Sequence, residues 1–152
     1  MWEEKNSLRT TTLMKRLFKA QDLPAFMEKN EVYMQAPSFA AYINRLCEEY
    51  GLVPERVIKQ AQIERSYGHQ LFNGTRTPSR DKALQLAFAF RLNVEQTQDL
   101  LRLAGKGALY PKLKRDAVII NCLSRGKNMF QVQEALAFFG LTLLGGEWKH
   151  GS

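Results

Sequence analysis

The stretch "SYGHQLFNGTRTP" (residues 66–78), with Arg65 before it, gathers the side chains best equipped to grip another molecule. Two guanidinium groups (Arg65, Arg76), an imidazole (His69) and hydroxyls on Ser66, Tyr67 and Thr75 lie within twelve positions. The pattern reads as the last turns of a helix, a glycine stop at Gly74 and a basic loop ending at Pro78. Such groups donate hydrogen bonds to anions, or stand as an ordinary solvated surface.

Catalysis finds little support. The histidines are His69 and His150, and neither belongs to a Cys/His or carboxylate set with metal-ligand spacing. No nucleophile sits in a recognisable turn. "GKGALYPK" (105–112) lacks the second glycine and the Lys-Ser/Thr of a phosphate-binding loop. The expectation is a protein that is not an enzyme and uses no cofactor and no metal.

The 152 residues fit one domain plus an appendage, with 45% hydrophobic and 24% charged side chains, an ordinary globular balance. No apolar run approaches the ~18 residues of a membrane span. The longest, "ALAFFGLTLLGG" (135–146), is broken by Gly140. The opening "MWEEKNSLRT" carries acids and no apolar core, so no secretory signal is expected there. Cys47 and Cys122 each fall inside an apolar helical pattern and read as buried free thiols of a cytoplasmic protein. The net charge is +7, spread unevenly. Residues 1–36 carry six basic and five acidic groups, 37–78 five and four, 79–110 five and three, and 111–152 six and three. The chain therefore has no strongly basic footprint around residues 65–76.

The elements that position these residues read as helical almost throughout, so the fold class is all-α. "SFAAYINRLCEEYG" places Phe39, Ile43, Leu46 and Tyr50 on one stripe between a Ser38 cap and a Gly51 stop. "PERVIKQAQ" opens on Pro54 and turns Val57 and Ile58 inward. "ERSYGHQLFNG" follows, then "SRDKALQLAFAF", whose near-continuous apolar run marks a helix buried on most sides. An N-terminal extension (1–36) holds Leu13, Leu17, Leu23, Phe26 and Met27 on two short helices joined at Asp22–Pro24. Thr10, Thr11 and Thr12 lie between basic residues, where ordinary capping is favoured over phosphorylation. A tail (146–152) carries Trp148, a residue able to anchor it.

Residues 80–109 align without gaps to residues 115–144, an offset of 35. Identical pairs are Arg80/Arg115, Asp81/Asp116, Asn93/Asn128, Gln96/Gln131, Gln98/Gln133, Leu101/Leu136, Gly105/Gly140 and Leu109/Leu144. Asn with Gln three residues later is a form of capping box, and each glycine sits where the following helix must stop. Each unit is thus a helical hairpin, and two such units form a compact bundle rather than a solenoid.

From Ser38 to about Thr97, some 60 of 152 residues, the sequence resembles the Cro/C1-type (xenobiotic-response-element-like) helix-turn-helix family of bacterial and phage regulators. The residues that carry the likeness are Gly51-Leu52, Val57-Ile58, Ile63, Arg65-Ser66, the exit Asn73-Gly74, Arg76 and Pro78, and "LNVEQTQ". The resemblance implies a lambda-repressor-like core at 37–110, extended by a helical hairpin at 111–145. It implies that one helix crosses the phosphate backbone while the next lies in the major groove of double-stranded DNA. Arg65, Ser66 and His69 would then face base edges, with Tyr67 against sugar or a thymine methyl. Arg56, Thr75 and Arg76 would hold phosphates, and Arg80 would join the same face. The function implied is transcription regulation by a cytoplasmic protein that reads two half-sites as a dimer; the dimer contact expected from the chain's own elements is the second hairpin, then the N-terminal helices.

The chain departs from the family in several places. Pro54 replaces a DNA-contacting glutamine, Val53 a capping Ser or Thr, and Gln62 the tight-turn glycine. Gly68 stands at an apolar core position, Phe72 replaces an acid, and Glu64 sets a negative charge where phosphate would lie. The competing reading is a helical protein-interaction adaptor on the same scaffold, anchored by Phe130, Phe138, Phe139 or Leu141–Leu144. Those residues are read first as core, because a small bundle needs them for burial.

Overall fold

The computed structural model describes residues 10–146, and every regular element among them is helical. Trp148 and the rest of the tail lie outside the described residues. So do the first nine residues. The chain divides into two compact units, one up to Pro37 and one from Ser38 onward.

The first unit holds α1 (Thr10–Lys19), α2 (Leu23–Asn30) and a 3-10 turn (Glu31–Tyr33). Asp22 starts α2 by accepting the Ala25 amide at 3.2 Å, and Pro24 sits in the first turn, where its missing N–H costs nothing. Asn30 is buried. Its Nδ2 donates to the Phe26 carbonyl, and its Oδ1 accepts from Arg16 at 3.0 Å. Of the apolar residues expected to face inward here, only Phe26 is buried, while Leu17, Leu23 and Met27 are exposed. Helices this short offer too little surface to bury one another.

The second unit contains α3 (Phe39–Tyr50), α4 (Pro54–Gln60), α5 (Arg65–Phe72), α6 (Arg80–Phe90), α7 (Val94–Leu103), α8 (Lys114–Ser124) and α9 (Met129–Phe138). Three hairpins, α3–α4, α6–α7 and α8–α9, turn in the same way. The first helix of each ends on a left-handed residue: Gly51, Arg91 or Gly126, at φ 66°, 59° and 68°. The next amide then bonds back to Cys47, Ala87 or Cys122 at 2.8–3.0 Å. Ser38, Ser79, Asn93 and Asn128 cap helices as their types demand, whereas Val53 provides no side-chain bond. Helix α6 is the centre of the core, buried without interruption from Ala83 to Phe90. Tyr50, expected on the inward stripe of α3, is instead exposed; its ring meets Phe90 edge-on and its hydroxyl accepts from Gln96. Cys47 and Cys122 are free and buried, and burial pushes the Cys47 thiol up to about 11.

The 35-residue repeat is a pseudo-twofold pair of hairpins. Arg80 on α6 grips Asp116 on α8 at 2.9 Å, and Arg115 on α8 grips Asp81 on α6 at 2.9 Å. The reciprocity extends to the backbone. Arg80 donates to the carbonyls of Gly107 and Ala108, Arg115 to those of Thr142 and Leu143. Asp116 accepts the Tyr110 amide, and Asp81 accepts the Gly145 amide. Each partner is displaced by 35 from its counterpart, which is the signature of a two-fold interface. The other identities fit the same frame. Asn93/Gln96 and Asn128/Gln131 form complete capping boxes. Gln98 clamps both backbone groups of Leu109, and Gln133 those of Leu144. Leu101 and Leu136 are fully buried, and Gly105 and Gly140 take positive φ.

Asp81 makes this frame acid-sensitive. Burial pushes its carboxyl up, but the Arg115 hydrogen bond, the Gly145 amide and the charges of Arg115 and Arg80 outweigh it and hold it below 3.8. The folded state therefore binds fewer protons than the unfolded chain. This stability is whole above about pH 5 and fades as pH falls through the folded value. Asp81→Asn is accordingly expected to flatten the fall of the urea midpoint between about pH 5 and 3. An unchanged slope would contradict the assignment.

Candidate nucleic-acid interface

Helix α5 is set against α4 and α3 by contacts along its length. Gln62 takes a left-handed φ of 59° in the link, a conformation that costs an ordinary residue about 1 kcal/mol. Its cost is offset from α6, where the buried Gln85 amide donates to the Ala61 carbonyl at 2.9 Å and also reaches that of Gln62. Gly68 then lets α5 lie directly on Ile58: a Cβ there would fall 2.5 Å from Ile58 Cγ2. At the far end Asn44 of α3 donates to the Phe72 carbonyl at 2.8 Å. Gly74, at φ 83°, ends the helix as its position requires.

Held this way, α5 buries Gly68, Leu71 and Phe72 and turns Arg65, Ser66, Tyr67 and His69 outward. Glu64 caps the helix, accepting the amides of Ser66 and Tyr67 at 3.0 and 2.9 Å. Those bonds hold its carboxyl below the usual range. Arg76 stacks its guanidinium over the Tyr67 ring, 5.4 Å from the centroid. Arg56 is exposed on α4. Thr75 is already engaged, since both its amide and its hydroxyl donate to Asn73 Oδ1. Arg80 does not join this face: Asp116 and two carbonyls hold it at the two-fold interface.

The group that the sequence analysis passed over is Glu55. Its carboxylate accepts from Arg65 Nε at 2.8 Å and lies 2.7 Å from His69 Nε2. It thus bridges the two foremost candidates for base contact. The Arg65 and His69 bonds hold the Glu55 carboxyl below its ordinary range, and Glu55 in turn raises Arg65. A signal existed. Arg65 and His69 are four apart on one helix face, and Glu55 falls in the first turn of the helix packed beside them.

The chain matches no protein-family model, no curated protein and no solved structure. Among the described residues no group of three or more His, Cys, Asp or Glu side chains could hold a metal ion. Nor is any of the described helices long and apolar enough to cross a membrane.

Proposed function

We propose that the protein is a cytoplasmic regulator that binds double-stranded DNA with a lambda-repressor-like helix-turn-helix, α4 crossing the backbone and α5 entering the major groove. One observation carries this reading: α5 buries a single side and presents Arg65, Ser66, Tyr67 and His69 together, flanked by Arg56 and Arg76. Arg65 suits the O6/N7 edge of guanine, His69 and Ser66 each add a hydrogen bond, and the flanking arginines fix register on phosphates. Thr75 approaches phosphate through its rim position once Asn73 releases it. A module of this kind reads two half-sites as a dimer.

Glu55 acts as a clamp in the free protein. The pair it makes with Arg65 is solvated, Glu55 being 53% exposed, so exchanging it for a base edge costs little. A guanine contact is worth about 1–3 kcal/mol, which exceeds the cost of that exchange. The clamp holds the two readers apart from random phosphates and lowers sequence-independent binding. Glu55→Gln is therefore expected to tighten binding to a mixed-sequence duplex by roughly three- to tenfold and to steepen its salt dependence. Unchanged or weaker binding in that variant would count against α5 as the reading helix.

A further inference from the structure

Among the described residues from Ser38 onward, the two-fold frame covers the outer face of one hairpin and leaves that of the other bare. Helices α8 and α9 enclose a groove of about 570 Å³ floored by Ala117, Val118, Cys122, Ala135, Phe139 and Leu141. Thirty-five residues earlier the same surface is Lys82, Ala83, Ala87, Leu100, Ala104 and Lys106. There Ala83, Ala87 and Leu100 are fully buried, because α4 packs on α6 and α3 packs on α7. Nothing of the described chain from Ser38 onward plays that part for the second hairpin. Phe138 and Phe139, read from sequence as core, are 82% and 62% exposed, with their rings edge to face at 5.0 Å. Phe130 is exposed as well, on a different side of α9, beside Lys59, Gln60 and Gln62. Ala135, Phe138 and Phe139, three and four residues apart, make an apolar stripe that no described residue from Ser38 onward covers, and the first hairpin shows the shape such a cover takes: a helix.

Charge narrows the occupant. Around the second hairpin Lys112, Lys114, Arg125 and Lys127 have no acidic partner among the described residues, and Glu134 is the one exposed acid of residues 111–146. Arg115 and Asp116 are already neutralised across the two-fold. A second copy would bring these lysines and arginines face to face. We propose that the outer face of α8–α9 docks an amphipathic helix of another protein, apolar at i, i+3, i+4 and i+7 and acidic on its flanks. Its apolar stripe takes the place that α3 and α4 fill on the first hairpin, and its acids meet Lys112 and Lys114 at the rim.

The full chain would be titrated into two labelled peptides of about four helical turns, both with leucine at those positions. One carries glutamate elsewhere, the other lysine. The glutamate peptide is expected to bind, and the lysine peptide to bind at least about tenfold more weakly. Lys112→Glu/Lys114→Glu, two exposed changes, is expected to reverse that order, and Phe139→Ala to weaken both. Circular dichroism melting confirms that each variant folds, independently of any duplex binding. Equal binding of the two peptides, or an order unmoved by the charge reversal, would overturn the proposal. So would a concentration-dependent dimer that Phe139→Ala disperses, which assigns the face to a second copy. Binding that appears only after residues 147–152 are removed would assign it to the chain's own tail.

Discussion

Arg80→Ala is expected to destabilise the protein by about 3–5 kcal/mol, whereas its repeat counterpart Arg115→Ala costs only about 1–2. The two arginines make the same bonds by symmetry, so the difference lies in the carboxylate each leaves behind. Asp116 is 3% exposed, and without Arg80 its charge is stranded with the Tyr110 amide as its one remaining described donor. Asp81 is 20% exposed, keeps the Gly145 amide, and can recruit water. Urea unfolding of the two variants at neutral pH measures the gap directly. Arg80→Ala/Asp116→Ala should recover much of the loss, because the uncompensated charge disappears with its partner. Equal losses in the two single variants would contradict the asymmetry.

Gly68→Ala is expected to lower stability by about 1–2 kcal/mol, although alanine is the better helix former by about 1 kcal/mol. The added Cβ would sit 2.5, 2.7 and 2.9 Å from three carbons of Ile58. Carbon atoms in contact prefer about 3.5–4.0 Å. Ile58 is buried, and as a β-branched residue it has few rotamers to escape into. Either α5 lifts from α4 or the side chain strains. Ile58→Ala removes all three atoms and costs about 2–5 kcal/mol alone. In Gly68→Ala/Ile58→Ala the clash is gone, so the double variant should be destabilised by less than the sum of the two single losses, with a coupling of at least about 1 kcal/mol. Simple additivity would show that the close approach of α5 to α4 is not what the glycine serves.

The helix ends were legible because capping is local chemistry. Ser38, Ser79, Asn93 and Asn128 start helices, and Gly51, Gly74, Gly105 and Gly140 stand at or just after helix ends, each at positive φ. The repeat was legible as spacing, but its meaning was not. The Arg80/Arg115 and Asp81/Asp116 identities stood in the sequence without a partner, and Arg80 read as one of the DNA-facing groups, while in the fold each arginine reaches across to the other unit's aspartate. The grip of Glu55 on Arg65 and His69 was missed for the same reason: it depends on which turn of α4 lies beside α5. Phe130, Phe138 and Phe139 were misplaced because an apolar stripe records that a face wants cover, not whether the same chain supplies it.

The most direct test of the DNA reading is fluorescence anisotropy of the full chain against a mixed-sequence duplex, beside Arg65→Ala/Arg76→Ala. Roughly micromolar binding at about 50 mM salt is expected, falling at least tenfold at about 200 mM and lost in the double variant. Both substitutions lie on exposed side chains, so the variant should fold and melt as the parent does. Absence of binding at low salt, or binding that the double variant retains in full, would contradict the reading of α5 as a groove-binding helix.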